Sequence, residues 1–244
     1  MHSIQFHETF HNNTIVSSSW SGYGDELTWA AAWLAKVTGE STYLSQAESL
    51  FDEGGLCTYV PTGFDWDNKI AGTYVLMYEL TGDSKYESCI DDWVNHIFYE
   101  VPYSPKGMIY VDQWGTLRHA ANVAHVCAQL TAVGLYESEC DTFVKNQINY
   151  ALGDGGRSYV VGMNDNPPCR PHHRSSSCPD MPETCDWDEF NNPNCNYQTL
   201  YGALVGGPDQ NDNYNDDRGD YVSNEVACDY NGGFTSALAY LVNA

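Results

Sequence analysis

The sequence is poor in positive charge. Only 10 Lys and Arg stand against 33 Asp and Glu, a formal net charge of -23 over 244 residues. Such a field repels phosphate, which argues against nucleic acid and anionic membranes as partners; a neutral polysaccharide suffers no such penalty. No run of eighteen apolar residues occurs, so no membrane span is expected. None of the nine cysteines forms a Cys-x-x-Cys pair, which argues against a zinc ribbon. Cys178 and Cys185 could instead close a loop in an oxidising compartment. The opening MHSIQFHETF lacks the basic and apolar regions of a signal peptide. Asn12-Asn13-Thr14 is a glycosylation sequon, usable only in a secreted chain.

What is present is helical. Apolar periodicity near 3.6 recurs in pairs, predicting helices over about residues 25–37, 41–52, 67–80, 84–98, 117–135, 140–152 and 232–243. Strand signal is thin, confined to 158–161 and 107–111. Ahead of the last helix lie nearly eighty residues rich in Pro, Asn, Asp and Gly with little periodicity. So long a loop in a compact domain is usually functional. The 18 Tyr and 7 Trp suit stacking on sugar rings, although aromatic cores give similar numbers.

The end of that loop, residues 209–231, reads DQNDNYNDDRGDYVSNEVACDYN. Asp209, Asp212, Asp216, Asp217, Asp220, Glu225 and Asp229 crowd around one cation, Arg218. Like charges raise carboxyl pKa values, and a carboxylic acid still protonated near neutral pH is what general-acid catalysis requires. Tyr214, Tyr221 and Tyr230 are interleaved with the acids, as suits a site that grips a sugar ring by its apolar face. A solvated acidic loop is the plain alternative. A calcium loop fits poorly: Asp209, Asn211 and Asn213 match the first EF-hand positions, but Tyr214 stands where Gly is needed and Asp220 where Glu is.

The pattern Tyr214-x-Asp216-x4-Tyr221-x3-Glu225-x-Ala227-x3-Asn231 resembles the C-terminal active-site signature of glycoside hydrolase family nine. The stretch from Ser158 to Gly162 and on through Asn166 to Pro171-His172-His173-Arg174 resembles the other signature of that family. SGYGDELTWAAAWL from Ser21, DQWGTLRHAAN from Asp112 and GALVGGPDQNDNY from Gly202 extend the likeness, which is greatest to the animal branch. The resemblance implies an all-α chain, about the C-terminal half of an (α/α)6 toroid, with residues 1–19 a divergent segment and 20–244 the catalytic portion. It implies an endo-β-1,4-glucanase acting on cellulose-like chains with inversion, secreted and monomeric. Inverting hydrolysis uses two carboxyl groups about 6.5–9.5 Å apart, one donating a proton to the leaving oxygen and one activating water.

By resemblance Glu225 is the proton donor, with Asp216 orienting or tuning it and His172 and Arg174 in the substrate cleft. His172 and Arg174 sit on a loop stiffened by Pro167, Pro168 and Pro171, which pre-organises them. His173 is read as structural, and no third ligand at metal spacing accompanies the two histidines. Trp114 and Arg118, four apart and so on one helix face, resemble an aromatic platform and a hydroxyl-binding cation; a core Trp with a snorkelling Arg is the bland version. Tyr230 resembles a sugar-contacting residue, and Trp20 and Trp66 candidates for outer subsites. Ser21, Gly22, Asp25, Glu26 and Asp67 resemble a structural calcium site, built of the hard oxygens that calcium prefers; first-turn acids favoured by the helix dipole are the alternative.

The chain departs from the family pattern in one serious way. The Asp-Ala-Gly-Asp segment that supplies the family's general base does not occur here, so nothing in the sequence activates water in the expected way unless Asp212, Asp216 or Asp217 is recruited. Asn164 replaces a usual Gly, Gly232 a usual Ala or Ser, and the Tyr expected just before the calcium segment is not found. A carbohydrate-binding remnant without turnover is therefore the second reading, and another α/α-toroid enzyme such as a sugar epimerase a weaker third.

Overall fold

The computed structural model describes residues 22–243. Trp20, Ser21 and the sequon lie outside the described residues. The chain divides into two compact units, residues 1–96 and 97–244.

In the first unit, α1 (Gly24–Thr38) packs on α2 (Ser41–Glu53) and on α3 (Ile70–Thr81). α1 and α3 each stop at a glycine in the left-handed region, Gly39 and Gly82, whose N–H groups bond back to Ala35 and Tyr78 carbonyls. Eight consecutive residues of α3, Ile70 to Met77, are buried, so this helix has no polar face and is enclosed. It begins three residues later than the periodicity predicts, because the Asp65 carboxylate accepts the Asp67 and Asn68 N–H groups and holds them in a turn. The Cys57–Cys89 disulfide ties the loop after α2 to α4 (Ser84–Tyr99).

In the second unit, α5 (Thr116–Ala132) packs against α6 (Glu137–Asn149) and α10 (Cys228–Asn243). α6 runs on into a π-helical turn, Tyr150–Asp154. Three short helices interrupt the long loop: α7 (Arg174–Ser177), α8 (Trp187–Asn191) and α9 (Tyr221–Asn224). α10 starts at Cys228, four residues earlier than expected, so Gly233 lies inside it. A Cβ at Gly233 would stand 2.2 Å from Asn122 Oδ1. That glycine is there for close approach to α5 rather than to begin a helix. The two expected strands do not form among the described residues. Single bridges, Val160 to Leu204 and Tyr103 to Ile109, are all those stretches make.

Candidate active site

Glu225 directly follows α9, and the Asp220 carboxylate caps that helix by accepting the Val222 and Ser223 N–H groups. Glu225 Oε2 accepts two hydrogen bonds, from Trp114 Nε1 at 2.9 Å and from the Tyr230 hydroxyl at 3.1 Å. Burial, opposed by Arg118 and reinforced by Glu225, pushes the Tyr230 phenol well above its ordinary value, so it stays a donor. Oε1 makes no hydrogen bond among the described residues. A proton on Glu225 therefore has one natural seat, Oε1, because Oε2 is already engaged as an acceptor.

A parallel bridge pairs His172 with Glu225, and the His172 N–H donates to the Asn224 carbonyl at 2.7 Å. The His172 ring stands with Nδ1 2.7 Å from the Arg218 carbonyl. A carbonyl only accepts, so Nδ1 carries a proton and Nε2 is left as the acceptor when the ring is neutral. Tyr221 links the two sides of the site, its ring 5.1 Å from Trp114 and 6.0 Å from His172. The site thus gathers Glu225, Trp114, Tyr221 and His172.

The other expected residues divide. Arg174 is exposed, and its guanidinium makes no hydrogen bond among the described residues, which leaves it open to a ligand. His173 caps α7, its Nδ1 accepting from Ser176 N–H. Asp216 spends both oxygens on the Cys169 and Arg170 N–H groups, at 2.8 and 3.0 Å. It anchors the backbone that leads to His172. Arg118 lies behind the platform: it bonds the Trp114 carbonyl at 3.0 Å, reaches Asp229 at 3.4 Å and sits 5.1 Å from the Tyr230 ring centroid. Tyr230 is only 1% exposed. Arg118 and Tyr230 thus position Trp114 and Glu225, where the sequence suggested direct sugar contacts. Gly115 makes this stack possible, since at its φ of +70° a Cβ would meet the Tyr230 hydroxyl at 2.9 Å. Of the three interleaved tyrosines only Tyr221 is exposed; the Tyr214 hydroxyl is bound by the Asn224 side chain.

The remaining loop acids bind backbone N–H groups or neighbouring side chains. Asp212 accepts from Lys106 N–H and the Tyr150 hydroxyl, and Asp217 from Gly219 N–H. Neither Asp212 nor Asp216 has both oxygens free to activate water. Asp209 lies below its ordinary pKa: burial pushes it up, but the Asn213 amide and the Asn213 and Asn211 N–H groups outweigh that. Its shift runs opposite to the one that crowding alone predicts.

Arg218, read in the sequence only as a lone cation among acids, has a larger part. It is buried, and its guanidinium bonds the Glu189, Phe190, Asn192 and Asn194 carbonyls and Asn196 Oδ1, at 2.6 to 3.0 Å. Asn196 passes the link on, donating to the Pro171 carbonyl and Ser176 Oγ. Disulfides Cys169–Cys195 and Cys178–Cys185 close the same region, the second being the pair that the sequence suggested.

These features match known proteins. The description "Glycosyl hydrolase family 9" fits residues 5–238. The chain belongs to glycosyl hydrolase family 9. Endoglucanase B of Cellulomonas fimi is 46% identical over 92% of this chain and 22% of its own length. An endoglucanase of Dictyostelium discoideum is 39% identical over 98% of the chain and 33% of its own length. Among solved structures, the endoglucanase of the termite Nasutitermes takasagoensis superposes with a TM-score of 0.88 and 54% identity, over 96% of this chain and 53% of the termite one. Endoglucanase CelQ of Clostridium thermocellum, solved with cellobiose and cellotriose, gives 0.82 and 36%, over 96% of this chain and 41% of CelQ. This family 9 chain is all-α, as expected, and corresponds to part of the family's (α/α)6 barrel. It spans a third or less of those two curated relatives and about half of the termite enzyme.

In the first unit, Trp66 is 52% exposed. Asp25 is buried and accepts the Lys69 N–H at 2.6 Å. Beside it, Glu26 is raised to about 7, by burial first and then by its hydrogen bond with Asp25. Glu26 Oε2 is buried without a hydrogen bond among the described residues. Two adjacent carboxyls with an unsatisfied oxygen suit a hard cation. Among the described residues, however, no three His, Cys, Asp or Glu side chains converge, so Asp67 does not complete a preformed set with Asp25 and Glu26.

Proposed function

We propose that this chain is the acid-bearing portion of an endo-β-1,4-glucanase that cleaves cellulose-like chains with inversion. The observation that carries the reading is the seat of Glu225: Oε2 is pinned by Trp114 and Tyr230, Oε1 makes no hydrogen bond among the described residues, and the backbone is bridged to that of His172. Protonated at Oε1, Glu225 hands its proton to the glycosidic oxygen as the bond to the anomeric carbon breaks. Trp114 and Tyr221 supply apolar faces for a sugar ring, and His172 Nε2 and Arg174 supply bonds to hydroxyls. The Asp-Ala-Gly-Asp segment does not occur in these 244 residues, so on this reading the base that activates water on the opposite face belongs to the part of the family domain that they do not cover. Three disulfides favour an oxidising compartment, and hence secretion.

A binding remnant without turnover is the second reading, since exposed Trp114 and Arg174 can hold sugar without a base. Reducing-end release from carboxymethyl-cellulose, measured beside calorimetric binding of cellohexaose, separates the two. Binding without release by this chain, and release once the front of the family domain is fused to it, is the expected result. Release by this chain alone removes the external base; no binding in either form removes the glucanase reading.

We further propose that Asp25 and Glu26 bind calcium, with carbonyl oxygens of Ser21 and Gly22 completing the shell. The cation would neutralise two carboxyls that otherwise compete for one proton. At a hundredfold excess over Kd, calcium stabilises by about 2.7 kcal/mol, or roughly 5–10 °C in Tm. Thermal melts in chelator and in calcium are expected to differ by that amount, and Glu26→Gln to abolish the difference. Equal melts for the unsubstituted protein would dismiss the site.

A further inference from the structure

A cavity of about 520 Å3 opens beside the bridge that carries His172, within the roughly 300–1,000 Å3 of small-molecule sites. His172 and Arg174 form part of its lining, and Trp187 and Phe190 of α8 another part. Trp187 is 74% exposed, so it is no core residue. Its indole stands nearly perpendicular to the Phe190 ring, with centroids 5.4 Å apart, which fixes its orientation while leaving most of it in solvent.

The surrounding structure holds the backbone that carries this aromatic. Asp186 and Glu189 form a reciprocal capping box at the start of α8. Arg218 binds the carbonyls at its other end, and the Cys178–Cys185 disulfide closes just before it. An exposed indole on a backbone fixed at both ends contributes contact area at reduced entropic cost. In the same lining are the Arg174 guanidinium and His172 Nε2, neither of them hydrogen-bonded among the described residues. An apolar plate beside hydroxyl-binding groups matches a pyranose ring. An anionic ligand fits poorly in a chain of charge -23.

We propose that this cavity is a glucosyl subsite, with Trp187 as its stacking platform, for a sugar unit beyond the one whose bond Glu225 protonates. The proposal rests on the glucanase reading. Trp187 would lengthen the stretch of glucan held and raise selectivity for long chains over short ones, without contact with the reacting bond.

The test is calorimetric titration of this chain with cellotriose and cellohexaose. Trp187→Ala is expected to weaken cellohexaose binding roughly fivefold to twentyfold while leaving cellotriose nearly unchanged. Trp187→Tyr, which keeps an aromatic face, is expected to stay within about threefold of the unsubstituted chain. Unchanged cellohexaose binding in Trp187→Ala, with weakened binding in Trp114→Ala, would overturn the subsite and leave the glucanase reading standing. Equal losses for both oligosaccharides would also overturn it, because they mark a residue that only supports the fold. No cellohexaose binding by the unsubstituted chain would end both readings together.

Discussion

Replacing Glu225 by Gln, in this chain fused to the front of the family domain, is expected to lower kcat on cello-oligosaccharides by about 10²–10⁴ with KM little changed. The substitution is chosen because it preserves the seat. A Gln oxygen can still accept from Trp114 Nε1 and the Tyr230 hydroxyl, and its NH2 takes the place of Oε1. Shape and binding are kept while the transferable proton is lost. The loss should shrink on an aryl cellobioside whose leaving group is acidic enough to depart unprotonated. Equal losses on both substrates would point to a binding defect, and an unchanged kcat would take Glu225 out of the reaction.

Arg218→Met is expected to cost on the order of 3–5 kcal/mol, because it leaves several acceptors without their donor at about 1–3 kcal/mol for each one that water does not reach. In a chain of this size that lowers Tm by roughly 10 °C. The Met side chain keeps the aliphatic stem as far as the position of Nε, so what is removed is the guanidinium with its bonds to four carbonyls and Asn196. Because the same residues lead through Asn196 to Pro171, the loop bearing His172 should loosen too. Hydrogen exchange measured over residues 186–198 would report this directly. A Tm within about 2 °C of the unsubstituted protein would mean that water replaces the guanidinium without penalty.

The long helices were legible because periodicity and glycine stops are local. Gly39 and Gly82 end helices where the sequence places the breaks. Gly232-Gly233 misled for a non-local reason: the contact that demands a small residue is with Asn122, more than a hundred positions earlier. Glu225, His172 and Trp114 could be picked out by motif, but their union could not. The hydrogen bond from Trp114 joins residues 111 apart in the chain. Arg118 and Tyr230 were found by the same motifs, yet their burial is a packing outcome that no spacing reports. Arg218 was hidden in another way. A cation among acids suggests ion pairs, whereas its partners are backbone carbonyls, which carry no sequence signature. Trp187 gave no periodic signal at all; only its exposure on a cross-linked loop marks it.

The choice of uncharged partners for Arg218 has a practical corollary. Electrolyte shields carboxylate–guanidinium pairs at a surface but does little to a buried cation coordinated by peptide dipoles. The scaffold behind His172 and Trp187 should therefore tolerate brine, even in so acidic a polypeptide.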